Sequence, residues 1–369
     1  MMQLFSAPGR VEIGGNHTDH QHGRVLAAAV DLSVTAVAGP NGTNTVRLKT
    51  NYRGGVDTLP DVELSPGGLE PRPEEKGTSQ ALVRGVAAWF AQNGYPIGGF
   101  DADIDSGVPP GAGLSSSAAF ETLIGRIFKG LFGAEISPVE IALAGQFAEN
   151  VYFGKPCGLM DQLASGLGGI NMFDFFHPLS PGITPINADF SGYSLCVVDT
   201  GGSHVDLTPD YAAVPEEMKA VAGFFGKEFL ADVHVDDFYA SLRVLRKLGD
   251  RAVLRACHFF EETERVSLQA SALERGDMGR FFELVIESGR SSAAWLQNVY
   301  SPSSPAQQGL NLALCLSEKI LADKGAWRVH GGGFAGTTLA FVPDVLRDEY
   351  SNNLSAVFGK GCCRYLNVS

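Results

Sequence analysis

Residues 109–119 read Pro-Pro-Gly-Ala-Gly-Leu-Ser-Ser-Ser-Ala-Ala, a glycine-rich turn that leads through three hydroxyls into an apolar segment. Glycine adopts positive φ without a steric penalty, so Gly111 and Gly113 allow backbone N–H groups to converge on an anion. Ser115, Ser116 and Ser117 cap the helix that follows and supply side-chain donors at its positive dipole end. This pattern predicts a phosphate-binding loop, and an ordinary glycine-rich turn with a serine N-cap is the alternative.

The loop differs from the Walker A motif GxxxxGK[ST], because no lysine accompanies its glycines and serines. If a nucleotide binds here, Mg²⁺ and some other cation must do the electrostatic work of that lysine.

A second polar segment lies near the N-terminus, where Arg10 precedes His17-Thr18-Asp19-His20-Gln21-His22-Gly23. Its density of hydrogen-bonding side chains indicates a ligand-binding loop. Zinc is an alternative, since three histidines and an aspartate within six residues are suitable ligands. On an extended chain, however, His17 and His20 face opposite sides, and no distant Cys/His pair completes a tetrahedron. A solvated loop with incidental histidines also stays open.

Two carboxylates have settings that suit chemistry. Asp161, in Gly158-Leu159-Met160-Asp161-Gln162, is flanked by apolar residues and glycine. Burial there would raise its pKa, whereas an arginine beside it would hold it ionised, and the second setting suits a base for a sugar or alcohol hydroxyl. A helix N-cap without catalytic duty is the alternative. Glu149, near the end of its predicted helix, is a candidate oxygen ligand for Mg²⁺, although a solvated helix residue would look the same.

Two further patterns fail on inspection. Gly331 to Gly336 forms a literal GxGxxG, but a β-prone run and not a helix follows it, so we reject a dinucleotide fingerprint and predict a strand-turn-strand whose glycines allow close approach of a ligand or another segment. Asp101-x-Asp103-x-Asp105 resembles the start of a calcium loop. Ser106 replaces the required glycine and Ala112 the required glutamate, which excludes calcium there.

The elements that must position these residues change character along the chain. Strands are predicted at 25–37, 45–50, 100–104, 170–176, 194–199, 328–330, 337–342 and 364–368. Helices are predicted at 79–93, 115–131, 137–153 (with a Ser137/Glu140 capping box), 215–225, 238–248, 251–272, 278–300 and 305–322, and residues 157–164 are predicted to make a turn into another short helix. The pattern predicts two domains, residues 1–190 and 191–369, the second richer in helix.

Composition limits the partners. The 369 residues are 44% hydrophobic and 19% charged, with a net charge of −13 and no basic tract. Nucleic acid and anionic membranes are therefore excluded as expected partners, and a polyanion would need a local site with metal help. Six cysteines without CxxC spacing, no signal-peptide pattern and no apolar stretch of membrane-spanning length predict a cytoplasmic protein with reduced thiols.

Together, Pro8-Gly9-Arg10-Val11 with His17-Thr18-Asp19, the 109–118 run, residues 157–162 and the 331–336 turn resemble the ordered motifs of sugar kinases in the GHMP superfamily, most closely the galactokinases. The resemblance implies an α+β, two-domain GHMP kinase fold, with a ribosomal-protein-like N-terminal domain, a left-handed crossover and a ferredoxin-like C-terminal domain. It also implies ATP and Mg²⁺ as cofactors and a small-molecule sugar as the partner of ATP, in a chain expected to be a monomer.

The resemblance also implies roles for individual residues. Asp161 and Arg10 match the catalytic pair, and Ser117 and Glu149 match the metal-binding pair. The nucleotide-binding positions are Gly111, Ala112, Gly113, Leu114, Ser115, Ser116 and Ser117. The sugar-binding positions are Asn16, His17, Asp19, Gly158 and Tyr211.

The departures from galactokinases concern the sugar. Those enzymes carry glutamate at the position of Asn16, which reads the 6-hydroxyl, and tyrosine at the position of His20. Residues 203–218 lack the usual basic residues, and residues 298–308 lack the usual acidic pattern. Loss of a carboxylate at the C6 contact lowers the repulsion against a 6-carboxylate. The expected activity is phosphorylation of the anomeric hydroxyl of galactose, with galacturonate or another sugar as the alternative acceptor and a non-catalytic sugar sensor as the alternative class.

Overall fold

The computed structural model describes residues 1–52, 55–109, 111, 113–202 and 207–369. These residues form two compact units. Unit 1 comprises residues 1–10, 29–169 and 369, and unit 2 comprises residues 11–28 and 170–368. The chain thus passes twice between units near its N-terminus, so that residues 11–28 cluster with the C-terminal half. The predicted domain boundary at residue 190 stays a prediction.

The described strands, in chain order, are β1 Gln3–Gly14, β2 Arg24–Pro40, β3 Thr45–Tyr52, β4 Gly55–Thr58, β5 Val62–Glu63, β6 Phe100–Ser106, β7 Ile170–Asp174, β8 Gly182–Ile186, β9 Tyr193–Asp199, β10 Ala326–His330, β11 Thr337–Pro343 and β12 Cys363–Leu366.

The described α-helices are α1 Ser79–Gln92, α2 Ser116–Phe132, α3 Pro138–Phe147, α4 Met160–Leu167, α5 Thr208–Phe224, α6 Val235–Ala240, α7 Leu242–Leu245, α8 Asp250–Glu274, α9 Met278–Ser291, α10 Gly309–Leu321 and α11 Arg347–Phe358. Two π-helical segments, Ala148–Phe153 and Ser292–Leu296, continue α3 and α9 directly.

In unit 1, a mixed sheet packs against a layer of helices. β3 pairs parallel with β6 and antiparallel with β4 and β5, while β6 pairs antiparallel with the second half of β2. The helix α1 lies between β3 and β6 in sequence, as a parallel pair requires a crossover. The Phe128 ring lies 5.5 Å, between centroids, from each of Phe90 and Phe100, and all three rings are fully buried, which fixes α1, α2 and β6 together.

In unit 2, an antiparallel sheet of order β10-β11-β9-β12 carries helices α9, α10 and α11. Two of the unit's apolar clusters support its helices. One lies under α5 and α8 and includes Met218, Phe238 and Phe259, and the other joins the sheet to α10 and α11 through Ala340 and Tyr350. Buried apolar area of this kind is the main stabilising contribution in each unit.

The α+β fold class and most elements agree with the sequence prediction. The capping box at Ser137 is present in full, because Glu140 N–H donates to the Ser137 hydroxyl and the Glu140 carboxylate accepts from Ser137 N–H. The turn 331–336 joins the antiparallel strands β10 and β11, as expected for a strand-turn-strand and not for a dinucleotide-binding unit.

Other local predictions were wrong. Arg10 lies in β1, a strand that was not predicted, so the predicted loop starts only after Gly14. The helix predicted at 238–248 is divided into α6, α7 and a 3₁₀ turn. The helix predicted to start at residue 215 starts earlier, because α5 begins at Thr208 and accommodates Pro215 in its interior. Helix α11 was not predicted. Of the described helices, none is long and apolar enough to cross a membrane.

Candidate active site

Strand β1 brings Arg10 to the predicted phosphate loop. Arg10 N–H donates to the Leu114 carbonyl at 3.1 Å. A Cβ at Gly9 would lie 3.0 Å from the same oxygen, so glycine allows the strand to approach the loop this closely. Gly111 and Gly113 have φ of +75° and +74°, which confirms the predicted left-handed backbone at both positions. Ala112 lies outside the described residues.

The predicted catalytic pair is in direct contact within unit 1. Arg10 Nε donates to Asp161 Oδ1 at 2.6 Å, and Arg10 Nη1 donates to the Gly113 carbonyl at 2.6 Å. Ser115 Oγ donates to Asp161 Oδ2 at 2.5 Å. One guanidinium thus connects the loop to the carboxylate. Ser115 occupies the N-cap position of α2, as predicted, but it adopts φ +52° and makes no side-chain cap hydrogen bond.

The electrostatic surroundings keep Asp161 ionised. Burial favours the neutral acid, but the Arg10 charge, the Arg10 hydrogen bond and the Ser115 hydrogen bond together lower the Asp161 pKa below its usual value. Asp161 is the second residue of α4 and therefore also lies at a helix N-terminus. Its side chain is 34% exposed, against 8% for Arg10, which leaves room for a further hydrogen-bond donor.

The predicted metal pair is also brought together. Ser117 Oγ lies 3.4 Å from Glu149 Oε1, and Glu149, in the π-helical segment Ala148–Phe153, is buried. Gln162 Nε2 donates at 3.0 Å to both Glu149 Oε2 and Glu121 Oε2. Burial, reinforced by the charge of Glu149, raises the Glu121 pKa well above its usual value and so favours the neutral form of Glu121.

Lys155 completes the cluster of charges. Its Nζ lies 3.2 Å from Glu149 Oε1, the oxygen that also accepts from Ser117. Burial lowers the Lys155 pKa, but the charges of Glu149 and Asp161 outweigh it and the pKa is raised. The ammonium group is therefore charged at neutral pH.

In unit 2, three of the predicted sugar-binding residues meet one glycine turn. Asn16 Nδ2 donates to the Gly331 carbonyl at 2.7 Å, His17 Nε2 to Gly332 at 2.9 Å and Tyr211 Oη to Gly333 at 2.8 Å. Burial, with the charge of Asp210, raises the Tyr211 pKa to about 12, so it keeps its proton. The glycines allow another segment to approach closely, as predicted, since a Cβ at Gly332 would collide with the Tyr211 ring.

Asn16 is fully buried and its amide is fully engaged. Besides Gly331, its Nδ2 donates to Glu12 Oε1 at 3.0 Å, and its Oδ1 accepts from Asn298 Nδ2 at 2.8 Å and from Ser292 Oγ at 3.3 Å. Glu12 in turn pairs with the buried Arg328 at 2.8 Å. The role of Asn16 as a sugar contact stays a prediction, and its structural role is to join β1 to the 331–333 turn.

The histidine segment is not extended, so the prediction that His17 and His20 face opposite sides was wrong. A 3₁₀ turn at Asp19–Gln21 brings His20 Nε2 to 3.2 Å from His17 Nδ1. Because the Gly332 carbonyl only accepts, His17 is protonated on Nε2 and His20 donates to its Nδ1. Burial lowers the His17 pKa to about 4 and the His20 pKa well below its usual value. Within the described ranges, no three His, Cys, Asp or Glu side chains are arranged to hold a metal.

The remaining predicted sugar-binding residues lie in different units. Asp19 begins the 3₁₀ turn in unit 2 and is half-buried. Gly158 belongs to unit 1, two residues before α4 begins. Their contact with a sugar stays a prediction.

Two family descriptions match the chain: "GHMP kinases N terminal domain" over residues 81–169, and "Galactokinase galactose-binding signature" over residues 3–40. The chain therefore carries a GHMP kinase N-terminal domain on a GHMP kinase fold. Together the two matches include Arg10, Asn16, the phosphate loop, Glu149 and Asp161.

Solved structures agree with this GHMP kinase fold. Galactokinase from Lactococcus lactis, complexed with galactose, is similar at a TM-score of 0.83 and 23% identity, over 100% of this chain and 93% of that one. Mevalonate kinase from Methanococcus jannaschii has a TM-score of 0.69 and 16% identity, over 100% and 99% of the two chains. Phosphomevalonate kinase from Streptococcus pneumoniae, in complex with phosphomevalonate and AMPPNP, has a TM-score of 0.64 and 13% identity, over 100% and 98%.

Sequence reasoning missed several residues that contact or adjoin the predicted ones. Gln162 adjoins Asp161 in sequence, and that adjacency was the available signal. Glu12 and Arg328 form a buried ion pair although 316 positions separate them in the chain. A single sequence gives no indication that two such distant residues are in contact. Lys155 was missed because its partner Glu149 becomes a neighbour only through the turn at Gly154, which has φ +83°.

Proposed function

We propose that this chain is an ATP-dependent sugar 1-kinase that transfers the terminal phosphoryl group of ATP to the anomeric hydroxyl of a hexose, with galactose as the first candidate. The products would be galactose 1-phosphate and ADP. The observation that carries the proposal is the 2.6 Å contact between Arg10 and Asp161 beside a glycine- and serine-rich loop. The galactose-binding signature over residues 3–40 supports the choice of sugar.

The residues present suit ATP and Mg²⁺. A Cβ at Gly111 would meet no atom within 4 Å, so the backbone of the loop is open at that residue. Ser117 and Glu149 offer a hydroxyl and a carboxylate oxygen 3.4 Å apart, the hard oxygen ligands that Mg²⁺ prefers. When bound, Mg²⁺ supplies charge neutralisation on the phosphates. Ser117 and Glu149 would hold the metal, and residues 111–117 would hold the phosphates through backbone N–H and serine O–H groups.

Asp161 is suited to accept the proton of the sugar hydroxyl. Its lowered pKa makes it a carboxylate at neutral pH but a weak base. It therefore orients the hydroxyl through a hydrogen bond and takes the proton late, once the hydroxyl has begun to bond to phosphorus and has become acidic. Phosphoryl transfer has a loose transition state, so positioning by the loop contributes more to the rate than the base.

Arg10 has three functions in this scheme. It keeps Asp161 anionic, and it fixes the carboxylate relative to the loop through the Gly113 carbonyl. Its guanidinium also offsets negative charge that develops on the transferred group.

We propose Asn16, His17, Asp19, Gly158 and Tyr211 as the sugar-binding residues. The neutral Asn16, at a position where galactokinases carry glutamate, favours galacturonate as the second candidate acceptor, because a 6-carboxylate meets less repulsion there.

The test is release of ADP, coupled to NADH oxidation, with galactose, galacturonate, glucose, N-acetylgalactosamine and arabinose as acceptors and Mg²⁺ present. We expect kcat/KM to be highest for galactose and phosphate to appear on the anomeric oxygen by ³¹P NMR. A higher kcat/KM for galacturonate would assign the second candidate. Sugar binding without turnover of any acceptor would contradict the kinase and favour a sensor.

A further inference from the structure

A nucleotide polyphosphate brings about four negative charges to a chain whose own net charge is −13. The predicted phosphate loop contains no lysine or arginine, and the Arg10 side chain donates to Asp161 and to the Gly113 carbonyl. Asp161 and Glu149 add negative charge close to the loop. A polyphosphate therefore needs a cation besides Mg²⁺ if this site is to hold it against repulsion.

Lys155 lies where such a cation is needed. The π-helical segment Ala148–Phe153 ends at Gly154, and the Lys155 backbone N–H donates to the Glu149 carbonyl at 3.1 Å. This turn directs the side chain back, so that Nζ reaches Glu149 Oε1 at 3.2 Å. The same oxygen lies 3.4 Å from Ser117 Oγ in the phosphate loop. The ammonium group is therefore in contact with one of the two predicted metal ligands and close to the other.

The ion pair is asymmetric. The Lys155 side chain is 65% exposed, whereas that of Glu149 is 4% exposed. The long, flexible and largely exposed side chain of Lys155 can therefore rearrange at little cost. Glu149 is held instead by Gln162 and the surrounding protein, so it stays in place when Lys155 leaves.

We propose that Lys155 is a nucleotide-binding residue whose ammonium group leaves Glu149 and pairs with the terminal phosphates of ATP when a divalent cation binds Glu149. This inference rests on the proposed function. Two cations on one carboxylate oxygen repel each other, so metal binding releases the lysine, and the incoming phosphates give it a new partner of opposite charge. Without nucleotide, Lys155 neutralises Glu149 in the metal's place.

The first test measures binding and needs no turnover. Isothermal titration with a non-hydrolysable ATP analogue and Mg²⁺ is compared for the wild type, Lys155→Met, Lys155→Arg and the control Lys49→Met, which removes the same charge from an exposed strand position in unit 1. We expect Lys155→Met to weaken the analogue about tenfold or more, as for loss of a hydrogen bond between charged groups. Lys155→Arg and Lys49→Met should stay within about threefold of the wild type. Binding of AMP, which lacks the terminal phosphates, should be equal in all four.

The exchange also requires that loss of Lys155 strengthens metal binding, and the second test measures this effect. Without nucleotide, Mn²⁺ binding followed by electron paramagnetic resonance should be several-fold tighter in Lys155→Met, because no ammonium group opposes the metal at Glu149. A merely structural lysine would not weaken nucleotide and strengthen metal binding together. Equal nucleotide affinity in wild type and Lys155→Met, or Mn²⁺ binding that is not tightened, overturns the inference alone. Failure of the wild type to bind the analogue overturns the proposed function and this inference with it.

Discussion

The guanidinium of Arg10 and the carboxylate of Asp161 lie 2.6 Å apart although 151 positions separate them in the chain. The contact depends on backbone geometry at each end. Gly9 lets β1 approach the Leu114 carbonyl, and α4 begins so that Asp161 lies in its first turn. The pair is therefore built by the fold and not by a flexible encounter of two surface side chains, which is typical of preorganised sites.

Asp161→Asn is expected to lower kcat about 10²–10⁴-fold, because an amide can accept a hydrogen bond from the sugar but cannot take its proton. The variant keeps the size of the side chain but removes the charge that faces Arg10, so the melting temperature should fall while the protein stays folded at the assay temperature. Coupled ADP release and differential scanning fluorimetry measure the two effects. The matched control is Asp103→Asn, which removes an exposed carboxylate from β6 in the same unit. Full activity in Asp161→Asn would remove it from the assigned role.

Arg10→Lys is expected to move the acidic limb of the pH–rate profile upward. The native Asp161 pKa is lowered, so the active carboxylate, and the stability that its ion pair contributes, persist until the pH falls through that low value. A lysine has no planar fork with which to contact Asp161 and the Gly113 carbonyl together, so the Asp161 pKa should rise and kcat should fall about tenfold or more. The measurement is kcat against pH from 4 to 8. An acidic limb that does not move contradicts the role of the guanidinium in keeping Asp161 ionised.

Local chemistry made part of this site predictable from sequence. Gly111 and Gly113 were predicted at positive φ because few other residues adopt it, and the Ser137 capping box is a contact between residues three apart. The buried network of Glu12, Asn16 and Arg328 depends instead on pairing between distant segments. Residue types alone do not show which segments pair or how they are aligned. The strand β1 was missed for the same reason, since Pro8 and Gly9 reduce its β-propensity and only its pairing within the fold determines it.

Asn16→Glu is expected to destabilise the protein by about 3 kcal/mol or more, because it buries a second carboxylate beside Glu12 and removes the donor to the Gly331 carbonyl. Urea unfolding measures the loss. The double variant Glu12→Gln/Asn16→Glu keeps a single carboxylate in the network and should recover part of the stability. If the folded variants prefer galactose over galacturonate more strongly than the wild type does, Asn16 contributes to sugar selection. An unchanged ranking would remove it from that role.

Acid should destabilise the protein through His17. Its folded pKa of about 4 lies below the value of 6.5 for an unfolded histidine, so its contribution is complete above pH 6.5 and is lost as the pH falls towards 4. Over this range the unfolded state binds a proton at this histidine and the native state does not, which lowers the free energy of unfolding by up to about 3 kcal/mol. His17→Gln should flatten the dependence between pH 6.5 and 4, and the exposed His234→Gln should not. Parallel curves for His17→Gln and the wild type contradict the assignment.

Alanine at two glycines of the 331–333 turn should separate backbone strain from close packing. Gly331 and Gly333 have φ of +67° and +77°, so alanine is strained at both, by about 1–2 kcal/mol. A Cβ at Gly331 would meet no atom within 4 Å, whereas one at Gly333 would collide with the Asn298 backbone carbonyl. Gly333→Ala should therefore lower the melting temperature clearly more than Gly331→Ala. It should also weaken sugar binding in calorimetric titration with galactose, because the Gly333 carbonyl that accepts from Tyr211 must shift. Equal losses of stability in the two variants would mean that strain alone, and not the approach of Asn298, requires glycine in this turn.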